Sequence, residues 1–114
     1  MRVYDGDNGT VSYEDNTTGD FDKGLKTTGL AVGKHGVYLV GYGESTTTPQ
    51  TSWVVKAYEL NLAPSWQRVF GGLNEGTFAK ALDIAMGAKA VIAVGQVQNG
   101  FAGPNITGVE AYTP

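Results

Sequence analysis

The chain repeats itself with a period of about 54 residues, and this repeat restricts its possible folds more than any other feature. Tyr4, Tyr58 and Tyr112 end short apolar segments and are equally spaced along the chain. The same offset superimposes Gly41 on Gly95, and each of these glycines follows a valine-rich segment. Several positions thus agree in one register without a gap, which indicates an array of similar supersecondary units.

The apolar segments within each unit are short and alternate with polar residues, as β-strands do. Glycine-containing turns separate them, and the chain has 17 glycines in all. When the strands are numbered by their place in a four-stranded unit, the first unit has strands 3-4. The second has strands 1-2-3-4, and the third has strands 1-2-3. The nine predicted strands are 2–5, 11–15, 29–33, 37–42, 53–59, 65–70, 81–85, 90–97 and 108–112.

These strands predict one all-β domain over residues 1–114. It consists of a partial unit at 1–16, a full four-stranded antiparallel unit at 29–71, and a partial unit at 81–114. The segment 75–83 has some helical propensity, but its match to GLKTTGLAV in the other copy favours a strand.

The segment VYDGDNGTVSY resembles the docking motif of quinoprotein-like (PQQ-type) β-propeller repeats, Asp-x-x-Thr-Gly-Lys-x-x-Trp. Asp5 and Gly9 match this motif. Asn8, Thr10 and Tyr13 replace its Thr, Lys and Trp. The second copy, AYELNLAPSW, keeps an aromatic at the last position but lacks the turn glycine.

The resemblance implies four-stranded propeller blades and a periplasmic or extracellular location. It also implies that Tyr13 and Trp66 pack between adjacent blades, where a large aromatic side chain buries much apolar area. Complete propellers have about four to eight blades. A chain with little more than two copies is therefore expected to self-associate into a homo-oligomer or to belong to a larger propeller.

Composition excludes several classes of function. The net charge is −3 and the eight basic residues are scattered, so a nucleic-acid partner is not expected. The chain has no apolar run of about 18 residues, so no membrane span is predicted. The chain contains no cysteine, which removes thiolate nucleophiles and cysteine metal sites.

No group of residues predicts catalysis. The single histidine, His35, lies in a predicted hairpin turn. The segment 5–9 is similar to the start of a calcium loop, but Asn16 stands where that loop needs a glutamate, so an ordinary hairpin is favoured and calcium is left open. The prediction is a protein that is not an enzyme, with no catalytic residue, no metal site and no cofactor.

The predicted function is a non-catalytic binding or scaffolding module that acts through its long connections or by self-assembly. Two alternatives stay open. The first is a blade fragment of a quinoprotein-type dehydrogenase, a class that holds pyrroloquinoline quinone and calcium. The second is a structural repeat of an extracellular surface protein.

The long connections are predicted at 16–28, 43–52, 71–80 and 98–107, all at one end of the sheets. Their sequences differ between the copies while the framework repeats, and variable loops on a repeated frame are where a specific partner is recognised. They predict one surface for a protein, peptide or glycan. Its residues are Asp20, Phe21, Asp22, Gln50, Asn74, Glu75, Asn99, Phe101 and Asn105.

Overall fold

The computed structural model describes residues 1–15, 21, 23–46, 50–71, 77–99 and 103–114, and every regular element in these ranges is a strand. Within the same ranges, no helix is long and apolar enough to cross a bilayer. The strands are β1 (Arg2–Tyr4), β2 (Val11–Glu14), β3 (Leu25–Gly33), β4 (Gly36–Glu44), β5 (Thr51–Tyr58), β6 (Pro64–Phe70), β7 (Thr77–Met86), β8 (Val91–Asn99) and β9 (Asn105–Tyr112).

The strands form three antiparallel sheets in chain order. They are a two-stranded sheet β1-β2, a four-stranded sheet β3-β4-β5-β6 and a three-stranded sheet β7-β8-β9. The all-β prediction is confirmed. The described part of the segment 75–83 lies in β7, so it is a strand and not a helix.

The first strand of each larger sheet is longer than the sequence pattern predicted. β3 begins at Leu25 rather than at residue 29, and β7 begins at Thr77 rather than at residue 81. The predicted connections 16–28 and 71–80 are correspondingly shorter. The reason is a β-bulge in each strand, at Thr28 and at Leu82, which interrupts the alternation while pairing continues on both sides.

The two larger sheets are paired in the same register. Lys26 pairs with Tyr42 in the four-stranded sheet, and Lys80 pairs with Gln96 in the three-stranded sheet, one repeat period later in both strands. Beside these pairs, a Cβ atom on Gly41 or on Gly95 would overlap the carbonyl oxygen of the neighbouring lysine. Each glycine thus allows a close approach of two backbones at the bulge.

The core lies between the four-stranded and three-stranded sheets. Tyr38, Val40 and Trp53 come from the first of these sheets, and Ala81 and Val91 come from the second. Small side chains on β7 and β8 let the larger side chains of β4 and β5 approach closely. Trp53 is fully buried.

Trp66 of β6 connects the two sheets at the end that carries the short turns. Its ring stacks on Tyr112 of β9, with 5.8 Å between centroids, and lies 6.2 Å from the ring of Tyr38. Burial raises the pKa of Tyr112, and the nearby carboxylate of Glu110 raises it further. Trp66 therefore lies between two sheets. The side chain of Tyr13 is outside the described part.

The chain preceding β3 contacts the opposite face of the four-stranded sheet. Asp15, which follows β2, accepts hydrogen bonds from Lys56 Nζ at 3.2 Å and from Tyr58 Oη at 2.5 Å. The ring of Phe21 lies over Gly43 of β4. The four-stranded sheet thus has the three-stranded sheet on one face and these earlier residues on the other.

Candidate functional site

The structure describes four residues of the predicted partner surface. They are Phe21, Gln50, Asn99 and Asn105, and for Asn99 only the backbone is described. The other five members, Asp20, Asp22, Asn74, Glu75 and Phe101, lie outside the described residues.

Three of the four described members are at the expected end of the sheets. Gln50 directly precedes β5, Asn99 ends β8 and Asn105 begins β9. Phe21 differs because it is only 2% exposed and packs on Gly43. Its ring is therefore buried against the four-stranded sheet and offers no open contact surface.

Asn105 lines a groove of about 240 Å³ on the outer face of the three-stranded sheet, the face turned away from the four-stranded sheet. The other lining residues are Phe78, Lys80, Gln96 and Gln98. They come from all three strands of the sheet and lie at its long-connection end.

The pleat and the pairing register bring these side chains together. Gln98 pairs with Phe78 on one side and with Asn105 on the other, so the three share one face. Between the groove residues of β7 lies Ala79, which points to the opposite face and is fully buried in the core. The alternation of groove and core positions follows from the period of two in a β-strand.

The groove offers mainly uncharged hydrogen-bonding groups. Gln96, Gln98 and Asn105 each carry an amide that both donates and accepts hydrogen bonds. Phe78 adds an aromatic surface. At the rim, the ammonium group of Lys80 lies 4.6 Å from the centroid of the Tyr42 ring, a cation–π contact that holds its position. Such a set suits a polar, uncharged ligand.

Sequence reasoning identified Asn105 but missed the other four lining residues. A signal was present in the repeat: Gln96 and Gln98 occupy the positions of Tyr42 and Glu44 in the preceding copy. Gln96 lies in the predicted strand 90–97, where differences between the copies were not considered, whereas Gln98 lies in the predicted connection 98–107 and was not selected.

The short turn between β1 and β2 contains the segment 5–9, which is similar to the start of a calcium loop. In the hairpin between β1 and β2, Asp5 Oδ1 accepts a hydrogen bond from the Asp7 amide at 2.8 Å, and Asn8 Oδ1 accepts one from the Thr10 amide at 3.0 Å. These contacts are typical of Asx turns. Across the described ranges, no group of three His, Cys, Asp or Glu side chains could hold a metal ion.

A second depression, of about 200 Å³, lies beside the Asp15 cluster near the start of β6. Its polar lining is already engaged, because Asp15 is bound to Lys56 and Tyr58. Since Asp15 and Lys56 have side chains only 8% and 14% exposed, the cluster joins the segment after β2 to the four-stranded sheet.

Comparison with known proteins identifies no family. No protein-family model, no curated protein and no solved structure matches this chain.

Proposed function

We propose that the chain is a non-catalytic binding or scaffolding module of the β-propeller type, with its two larger sheets as successive blades. The common pairing register supports this proposal, because both sheets carry the bulge and the close-approach glycine at equivalent positions of the repeat. The stacking of the three-stranded sheet on the four-stranded sheet also supports it.

The groove at the long-connection end is the observation that carries the binding function. Its three amides and the phenyl ring of Phe78 stand on strands and not on loops, so the positions of the side chains are set by cross-strand pairing. Amides can satisfy the hydroxyl groups of a glycan or the backbone of a peptide, and an aromatic ring packs on their apolar parts. We propose a glycan or a peptide as its ligand.

Binding to an array of oligosaccharides and to an array of random peptides tests the proposal. The informative variant is the double substitution Gln96→Ala/Asn105→Ala, since both residues are exposed and neither belongs to the core. Loss of two ligand hydrogen bonds should weaken binding by about tenfold or more.

The matched control is Lys34→Ala/His35→Ala, which changes two exposed residues in the short turn between β3 and β4 of the four-stranded sheet, away from the groove. This variant should bind as the unaltered chain does. Ligand binding that depends on the turn and not on the groove would contradict the proposal, and so would chemical conversion of a bound compound.

A further inference from the structure

The edges of the described sheets differ in how well they are protected against pairing with another chain. An unprotected edge presents free backbone N–H and C=O groups to any strand that approaches. β1 and β2 are short, with three and four residues, and their pairing is bulged. β3 and β7 carry a bulge and the lysines Lys26 and Lys80. β6 has a register shift, begins at Pro64 and contains Arg68.

β9 has none of these protective features. Its eight residues pair with β8 without any register shift. The strand contains no proline, lysine or arginine, and Glu110 is its one charged residue. In the part of the chain that the structure describes, its second edge has no neighbouring strand.

The side chains of β9 also lack the cover that the equivalent strand has. β5 is the equivalent strand of the preceding copy and pairs with a strand on each side. Val55 of β5 is fully buried because the three-stranded sheet covers its face, whereas Val109 of β9 is on the outer face of its sheet and is 62% exposed. Ile106 is 55% exposed, so large apolar side chains stand uncovered on both faces of the strand. β9 thus keeps the apolar character of β5, although none of the described strands covers its second edge.

We propose that two copies of the chain associate through antiparallel pairing of β9 with β9 of the second copy, centred on Val109. This inference deepens the self-association expected for a β-propeller-type module and rests on it. The product is one continuous sheet of six strands across a two-fold axis, the commonest symmetry of homo-oligomers.

The register follows from the side chains. A two-fold axis perpendicular to the sheet keeps each residue on its own face, so the axis must pass between two copies of the same residue. Centring on Glu110 would place two carboxylates opposite each other, which is destabilising. Centring on Gly108 would leave no side-chain contact at the axis.

Centring on Val109 avoids both problems. Val109 then meets Val109 of the second copy on the outer face, and Glu110 lies opposite a glycine. Ile106 lies opposite Tyr112, an aromatic and β-branched pair that stabilises antiparallel strands. The strand has the length for both such pairs, one on each side of the axis.

Cysteine cross-linking tests the register, because the natural chain has no cysteine and every disulfide would come from the introduced residue. Directly opposed residues of antiparallel strands have Cα atoms about 4.5 to 5.5 Å apart, within the range of a disulfide. Val109→Cys should form a disulfide-linked dimer under mild oxidation. The control Leu60→Cys introduces an equally exposed thiol in the turn before β6 and should cross-link far less.

Sedimentation tests the association itself. The unaltered chain should be a dimer, and Val109→Lys should weaken dimerisation by about tenfold or more, because two ammonium groups replace an apolar pair. Since Val109 is largely exposed, the Val109→Lys monomer should have the same circular dichroism spectrum and melting temperature as the monomer of the unaltered chain. An unaltered chain that sediments as a monomer would refute the proposal. A dimer that Val109→Lys does not weaken would refute it too, and so would open-ended assembly through another surface.

The two proposals can fail separately. A monomeric chain that binds array ligands through Gln96 and Asn105 would remove the β9 dimer and leave the binding function intact. A β9-linked dimer with no groove-dependent ligand would do the reverse.

Discussion

Asp15 shows how one side chain can connect separate parts of the structure. Its carboxylate accepts hydrogen bonds from Lys56 and Tyr58 of β5, and the two charged groups, Asp15 and Lys56, are largely withdrawn from water. A second ion pair, between Arg2 and Glu14, lies close by in the sequence but is much more exposed. The two pairs allow buried and exposed charges to be compared in one molecule.

Asp15→Ala should lower the free energy of unfolding by about 3 to 5 kcal/mol, because it leaves the ammonium group of Lys56 buried without its counter-charge. Glu14→Ala removes one partner of the exposed pair and should cost less than about 1 kcal/mol. Urea unfolding of both variants gives the comparison. Equal losses would mean that the Asp15 cluster does not hold the segment after β2 to the four-stranded sheet.

Phe21 shows at the same scale where sequence reasoning fails. An aromatic residue between two aspartates in a predicted connection has the composition of an exposed contact. Gly43 of β4 lacks a side chain, however, and the Phe21 ring occupies the space above it. The composition of a loop does not reveal that a strand elsewhere offers room for a ring.

At the scale of elements, the first two strands of each larger sheet share one construction. A bulge at Thr28 or Leu82 is accompanied by a glycine on the neighbouring strand, Gly41 or Gly95. At each bulge the backbones approach so closely that a methyl group has no room. The two glycines should therefore respond alike to substitution.

Gly41→Ala and Gly95→Ala should each lower the free energy of unfolding by about 1 to 3 kcal/mol or more, because the added methyl group overlaps a backbone carbonyl that cannot turn aside. Gly6→Ala is the control, since a Cβ there meets no atom within 4 Å. Chemical unfolding measures all three variants. A harmless Gly95→Ala beside a damaging Gly41→Ala would show that the two hairpins are not built alike.

At the scale of the whole molecule, stability depends on the contact between the two larger sheets. In this contact, Trp66 of the four-stranded sheet stacks on Tyr112 of the three-stranded sheet. Removing the indole ring would open a gap against Tyr38 as well. The two sheets should thus unfold in one transition.

Trp66→Ala should lower the free energy of unfolding by about 3 kcal/mol, as the loss of a packed aromatic side chain does. His35→Ala, in an exposed turn, should stay within about 0.5 kcal/mol of the unaltered chain. Thermal and urea melts of the pair check this prediction. If both variants unfold alike, the ring of Trp66 does not stabilise the sheet contact.

The sequence alone determined the class of structure and the order of its strands. Strand positions could be predicted because alternating segments, turn glycines and the constant offset between the copies are local or periodic signals. The starts of β3 and β7 were missed because a bulge breaks the alternation, and the pattern alone cannot distinguish a bulge from the end of a strand.

Only the tertiary structure decided which side chains share a face and which stay open to solvent. Phe78, Gln98 and Asn105 form one groove because cross-strand pairing places them side by side, a relation that the order of residues does not contain. Val55 and Val109 repeat in sequence, yet one is buried and the other exposed. The physical reason is that burial depends on the strands and sheets that pack around a residue, whereas strand formation depends largely on the residue and its neighbours along the chain.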